Sequence, residues 1–118
     1  MKTLVIGASE NPERYSNKAI RSLVDHNEEV VAIGLKKGNV AGIPFDADKK
    51  VFDDIDTVTL YVGPKNQAEY YEYILGLKPR RVIFNPGTEN PEFIDKLSAA
   101  GIYPEIACTL VLLSTGQY

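Results

Sequence analysis

Apolar and polar residues alternate in blocks of two kinds along this chain. Residues 3–6, Thr-Leu-Val-Ile, form a short apolar run that breaks at Gly7 into a polar loop containing Pro12. Residues 16–24 then carry helical spacing. Residues 29–33, Glu-Val-Val-Ala-Ile, predict a second strand. Residues 57–62, Thr-Val-Thr-Leu-Tyr-Val, are rich in β-branched side chains and apolar on both parities, as a strand covered on both faces should be. Residues 81–84 predict the next strand. Residues 102–106 are weaker, and Pro104 assigns them to an edge. Between 35 and 56 the pattern is irregular and polar, with one short strand expected at Val51-Phe52.

Punctuation supports the helices. Gly63-Pro64 opens one, with Ala68, Tyr71 and Leu75 as its inward stripe and Gly76 as its end. Asn90-Pro91-Glu92 opens another: a cap residue, a proline, then an acid at the positive dipole end. Phe93, Ile94, Leu97 and Ala100 are expected to face inward and Gly101 to stop the helix. Residues 108–113 are apolar but too short to separate strand from helix. The β-α-β repetition predicts a single α/β domain over residues 1–118, a Rossmann-like doubly wound parallel sheet of about five strands in three α/β/α layers. The expected strand order is 3-2-1-4-5, with a ligand crevice beyond the C-terminal strand ends.

Composition narrows the function classes. Apolar content of 44% and charged content of 25% suit an ordinary globular domain. No apolar run approaches the roughly 18 residues of a membrane span, and the N-terminus is too weakly apolar for a signal peptide, so a cytoplasmic address is expected. A net charge of −3 argues against a nucleic-acid binder. One cysteine, Cys108, makes neither an intramolecular disulfide nor a metal site, and its apolar run suggests a buried structural thiol.

The fold gathers particular residues at the strand ends. After the first strand come Gly7 to Ser16, and after the second Gly34-Leu35-Lys36-Lys37-Gly38. Gly63-Pro64-Lys65 follow the 57–62 strand, and Asn85-Pro86-Gly87-Thr88 follow the 81–84 strand. Each turn holds a glycine, where backbone can approach a ligand, and three bring cations: Arg14, Lys36 with Lys37, and Lys65. Cations collected at one edge of an acidic chain suggest a polyanionic ligand. The dinucleotide fingerprint is incomplete: the loop is Gly7-x-Ser9 without the later glycines. Leu35-Lys36 stand where an acid would hold the ribose of NAD; a lysine there suits an extra ribose phosphate, as in NADP or coenzyme A. The P-loop pattern is absent.

Residues 5–16, Val-Ile-Gly-Ala-Ser-Glu-Asn-Pro-Glu-Arg-Tyr-Ser, resemble the opening motif of the small stand-alone CoA-binding protein family, which is similar to the CoA-binding domain of the succinyl-CoA synthetase α subunit. Lys36-Lys37-Gly38 with Ala41-Gly42-Ile43-Pro44-Phe45 resembles the family's segment after the second strand. Asn85-Pro86-Gly87-Thr88-Glu89-Asn90 resembles its late turn, and Cys108 stands where the family often has cysteine. The chain departs from the family at Ile33-Gly34-Leu35, where many members have Asn-Pro. The resemblance implies non-catalytic binding of coenzyme A or acyl-CoA through the ADP moiety. It implies that Gly7, Ala8, Ser9, Arg14 and Ser16 hold the pyrophosphate and that Lys36 or Lys37 faces the ribose phosphate, with Pro12, Gly34 and Lys65 as further candidate binding residues. Gly63 and Pro64 would line the adenine or pantetheine side, and Asn85, Pro86 and Gly87 the far edge.

The sequence offers no catalytic constellation and no metal spacing. His26, the only histidine, falls at the end of the first helix, where it complements the dipole. Of Tyr70, Tyr71 and Tyr73, Tyr71 fits the core; the others suit either plain surface or a contact with a second copy or a protein partner. Two rival readings stand beside CoA binding: an NADP-dependent oxidoreductase-like domain, and a regulatory subunit whose nucleotide site has lapsed.

Overall fold

A computed structural model describes residues 1–118. Strand β1 (Lys2–Ala8) lies at the centre of a seven-stranded sheet and leads into helix α1 (Tyr15–Asp25). Strand β2 (Glu29–Gly34) is followed by a hairpin of β3 (Gly38–Val40) and β4 (Ile43–Asp46), then by β5 (Ile55–Leu60). Two 3₁₀ turns (Pro64–Asn66 and Ala68–Tyr70) precede α2 (Tyr71–Leu77), which leads to β6 (Arg81–Phe84), α3 (Pro91–Ala99), β7 (Tyr103–Ile106) and α4 (Thr109–Ser114).

Burial follows strand parity. Leu4 and Ile6 of β1 join Val58, Leu60, Val82 and Phe84 beneath α2 and α3, where Tyr71, Ile74, Phe93 and Leu97 close the core. Val5 and Ala8 point the other way and pack with Ile20 and Leu23 of α1 and Leu113 of α4. Central strands covered on both faces have no polar side, which is why their sequences run apolar without alternation. The arrangement is a mixed, Rossmann-like α/β sheet in three layers.

The strand order corrects the expectation. It is β3-β4-β2-β1-β5-β6-β7, so the 57–62 strand (β5) pairs with β1 rather than lying outside β2. Seven strands form rather than about five, because the β3–β4 hairpin takes the slot beside β2: β4 pairs parallel with β2, and β3 antiparallel with β4. Phe45 of β4 is buried there, filling the edge that the sheet would otherwise expose. The short strand expected at Val51-Phe52 does not form. Strand β7 is the opposite edge, where Pro104 costs no pairing donor.

Two helices also differ in detail. The segment after Gly63 winds as 3₁₀ turns before becoming α-helical at Tyr71, and the tighter winding shifts the inward phase. Gln67 and Tyr70 are therefore buried while Ala68 is exposed. Gly76 lies inside α2, which ends instead at Lys78 in a left-handed conformation (φ 52°). Helix α3 is capped by the Asn90 side chain, which accepts from Phe93 N–H at 3.3 Å. Ala100 is the exposed C-cap of α3 rather than part of its buried face. Residues 109–114 settle as a helix, and Cys108 at its start is partly exposed rather than buried in the core.

Candidate functional site

The C-terminal ends of β1, β2 and β5 open on a crevice of about 870 Å³, a size that suits a cofactor. A bulge shapes its floor. Gly7 (φ 100°) interrupts the register of β1 against β2 between Ile6 and Ala8. This turns the loop that follows across the strand ends. A Cβ on Gly7 would meet the Tyr61 carbonyl oxygen at 2.8 Å, and one on Gly34 would meet the Ala8 carbonyl oxygen at 2.5 Å. These two glycines let the turns close on one another.

The loop after β1 is wound by its own side chains. Asn11 N–H donates to Ser9 Oγ at 3.1 Å, Glu13 N–H to Asn11 Oδ1 at 3.0 Å, and Arg14 N–H to the Asn11 carbonyl at 3.0 Å. Buried Asn17 donates to the Ser9 carbonyl at 3.0 Å and fixes the loop to the first turn of α1. Arg14 is thereby held at the N-cap of α1, with Ser16 buried beside it on the crevice wall. The positive end of the α1 dipole and an arginine face the same space.

Of the residues singled out from the sequence, the structure brings Gly7, Ala8, Ser9, Arg14, Ser16, Gly34, Lys36, Lys37, Gly63, Pro86 and Gly87 together on the crevice wall. Pro12, Pro64 and Lys65 are exposed and do not line it. Asn85 is not on the wall either. It is 1% exposed and its side chain is fully engaged: Nδ2 donates to Thr59 Oγ1 at 2.6 Å and the Leu60 carbonyl at 2.9 Å, while Oδ1 accepts from Thr109 N–H at 2.9 Å. Asn85 ties the ends of β5 and β6 to the start of α4 behind the crevice.

The wall carries residues that sequence reasoning missed. Glu10, Glu13 and Glu69 bring three carboxylates alongside the three cations Arg14, Lys36 and Lys37. Two of these acids are engaged: Glu10 accepts from Asn39 N–H at 2.9 Å, and Glu69 pairs with Lys49 at 3.3 Å. Arg14, Lys36 and Lys37 have no carboxylate within ion-pair distance. Glu10 follows Ser9 directly in the loop, and its neighbourhood was visible; its reach to Asn39 was not.

The far wall is a polar scaffold. Gln67, fully buried, donates to the carbonyls of Val62 (2.9 Å) and Thr88 (2.7 Å) and accepts from Asn90 Nδ2 at 3.1 Å. It holds the turn after β5 against the turn after β6. Tyr70, buried, carries Lys49 over its ring at 4.9 Å. Tyr73 donates to the Lys50 carbonyl, and burial pushes its hydroxyl up to about 12. These contacts fasten the 47–52 segment to the start of α2, so Tyr70 and Tyr73 serve the fold. Tyr61 contributes to the floor, and burial raises its hydroxyl well above the ordinary range.

No group of three or more His, Cys, Asp or Glu side chains is placed to hold a metal ion. His26 lies at the C-cap of α1, at the opposite end of the helix from the crevice, with its Nδ1 2.7 Å from the Ser22 carbonyl oxygen. No helix is long and apolar enough to cross a membrane.

The structure is a mostly parallel α/β sheet covered on both faces, with its crevice at the carboxyl ends of the central strands, where folds of this class place their ligands. Residues 1–114 match the family described as CoA binding domain, and the chain belongs to that family. A solved structure of an uncharacterised protein is 50% identical, covers 99% of this chain and 97% of its own, and superimposes with a TM-score of 0.96. A protein from Thermus thermophilus is 21% identical over 99% of this chain and 90% of its own, with a TM-score of 0.88. The dinucleotide-forming acetyl-coenzyme A synthetase 1 of Ca. Korarchaeum cryptofilum, solved with phosphate and ADP, is 15% identical (TM-score 0.72) over 92% of this chain and 25% of its own. The last two likenesses show the fold alone. No curated protein matches the chain.

Proposed function

We propose that the protein binds coenzyme A or an acyl-CoA without catalysis, holding the ADP moiety in the crevice at the strand ends. The observation that carries this reading is three cations without ion-pair partners, Arg14, Lys36 and Lys37, on the wall of one cofactor-sized crevice in a chain of net charge −3. In this reading the loop from Gly7 to Arg14 and the first turn of α1 receive the diphosphate, with Arg14 as its charged anchor. Lys36 and Lys37 face the ribose phosphate, and their place after β2, where an acid would hold a free ribose, disfavours NAD. Gly63 and Gly87, with open space where a Cβ would stand, leave room along the far wall for the pantetheine arm.

Calorimetric titration with CoA, acetyl-CoA, NADP, NAD and ADP at two salt concentrations tests the reading. CoA and acetyl-CoA are expected to bind best, more weakly at high salt, and to lose affinity when Lys36 and Lys37 are both replaced by alanine. A preference for NADP would turn the reading to an oxidoreductase-like domain, and silence with every ligand would indicate a lapsed site.

A further inference from the structure

The two cation-bearing loops of the crevice are separate pieces of chain joined by one side-chain hydrogen bond. Arg14 belongs to the loop after β1, which is internally wound through Ser9 and Asn11. Lys36 and Lys37 belong to the turn after β2, which continues into β3 and is braced by Gly42 N–H donating to Asn39 Oδ1 at 3.1 Å. Glu10 spans the two: its Oε2 accepts from Asn39 N–H at 2.9 Å. The fit is close, since a Cβ on Gly38 would meet Glu10 Cγ at 2.8 Å and the Phe45 ring at 2.7 Å. Glycine at 38 is thus what admits the Glu10 side chain over the hairpin. A carboxylate on the wall of an anion site opposes the ligand's charge, so its place there calls for a function of another kind.

We infer that Glu10 is a positioning residue that fixes the spacing between Arg14 and the Lys36–Lys37 pair, and so makes the crevice select nucleotides with a diphosphate and a separate ribose phosphate over those with a diphosphate alone. This rests on the reading of the crevice as a CoA site. With the tether, both cation sets are held apart at one distance, and the second phosphate binds without further ordering of the chain. Without it, each loop still meets its own anion, but the gain from engaging both is reduced.

The test compares CoA with dephospho-CoA, which lacks the ribose phosphate, on wild type, Glu10→Ala and Glu10→Gln. The two variants carry the same charge, so the difference between them isolates the hydrogen bond: the glutamine amide oxygen can still accept from Asn39, and alanine cannot. The ratio of CoA to dephospho-CoA affinity is expected to be roughly fivefold lower in Glu10→Ala than in Glu10→Gln, the size of one net hydrogen bond. Amide exchange at Asn39 in the ligand-free protein should quicken in Glu10→Ala and stay slow in Glu10→Gln, with core amides such as Val5 reporting that both variants are folded. Equal ratios in the two variants, or equal exchange at Asn39, overturn the inference while leaving CoA binding intact. If the wild type binds neither ligand, the reading of the site falls and the inference falls with it.

Discussion

At the N-terminal edge of the sheet, the turns entering β2, β5, β6 and β7 pass through left-handed residues: Asn27 (φ 61°), Asp54 (59°), Lys78 (52°) and Gly101 (77°). At the C-terminal edge the corresponding positions are glycines, and two of them, Gly7 and Gly34, are pressed against the backbone of a neighbouring strand end. The first edge only has to turn the chain in open space, so a residue with a side chain can bear the modest strain. The second has to bring several loops within contact of each other, and there a Cβ has no room. Much of the glycine that marks a binding edge is therefore present for the loops' own packing, and only Gly63 and Gly87 are left facing free space. Charge pairing separates the edges as well. At the N-terminal edge Lys2 pairs with Glu29 and Arg80 with Asp56, while at the crevice Arg14, Lys36 and Lys37 stand beside Glu10, Glu13 and Glu69 with no ion-pair partner of their own.

Gly7→Ala against Gly101→Ala is the sharpest way to break this comparison. At Gly7 a left-handed backbone and a contact at 2.8 Å coincide, and the loss of stability is expected to be roughly 2–4 kcal/mol in urea denaturation. At Gly101 only the backbone term applies, and about 1–2 kcal/mol is expected. Equal losses would mean that close packing is not what the crevice edge demands. Asn85→Ala comes next. It strands the Thr109 amide in the interior and removes the side chain that joins β5 to α4, for roughly 2–3 kcal/mol by the same measurement. Arg14→Ala should show the reverse profile: a stability change within about 0.5 kcal/mol and a roughly tenfold loss of CoA affinity by calorimetry. Stability loss without affinity loss there would make Arg14 part of the scaffold.

The smallest effect belongs to the N-terminal edge. Arg80 grips Asp56 through two bonds of 2.9 and 3.1 Å, and this holds the Asp56 carboxyl below its ordinary value of 3.8. A depressed carboxylate stabilises the fold above that ordinary value, and its contribution fades as pH falls through the lower folded one. Asp56→Asn should cost about 0.5–1 kcal/mol near neutral pH, and the gap from wild type should narrow in thermal melts as the pH is taken below the ordinary carboxyl value.

Legibility in the sequence followed length and continuity. The apolar runs at 3–6, 29–33, 57–62 and 81–84 became strands because they are covered on both faces, whereas the weaker run at 102–106 became the exposed edge strand that Pro104 pointed to. The β3–β4 hairpin was hidden: its strands are three and four residues long, too short for alternation to register. Its turn runs through Ala41 and Gly42, both left-handed (φ 52° and 84°), where an asparagine in place of Ala41 would have announced it. That hidden hairpin is also why the strand order was misjudged. At the crevice, residues adjacent in sequence to a strand end were legible. Those defined by a partner far along the chain were not: Asn85 looks like a ligand contact until its three bonds are seen, and Glu10 gains its place only through Asn39, 29 residues on.

Strand β7 carries a further consequence at the sheet's outer margin. The amides of Tyr103 and Ala107 donate inward, to the carbonyls of Arg80 and Phe84, so the even-numbered amides of β7 point away from the sheet. The residues there are Pro104 and Ile106, and proline has no N–H to offer. A passing extended chain, including another copy unfolding nearby, finds a single donor where templated growth would need a row of them. Pro104 thus acts as a stop codon written in backbone chemistry, ending a seven-stranded ladder that would otherwise invite an eighth rung.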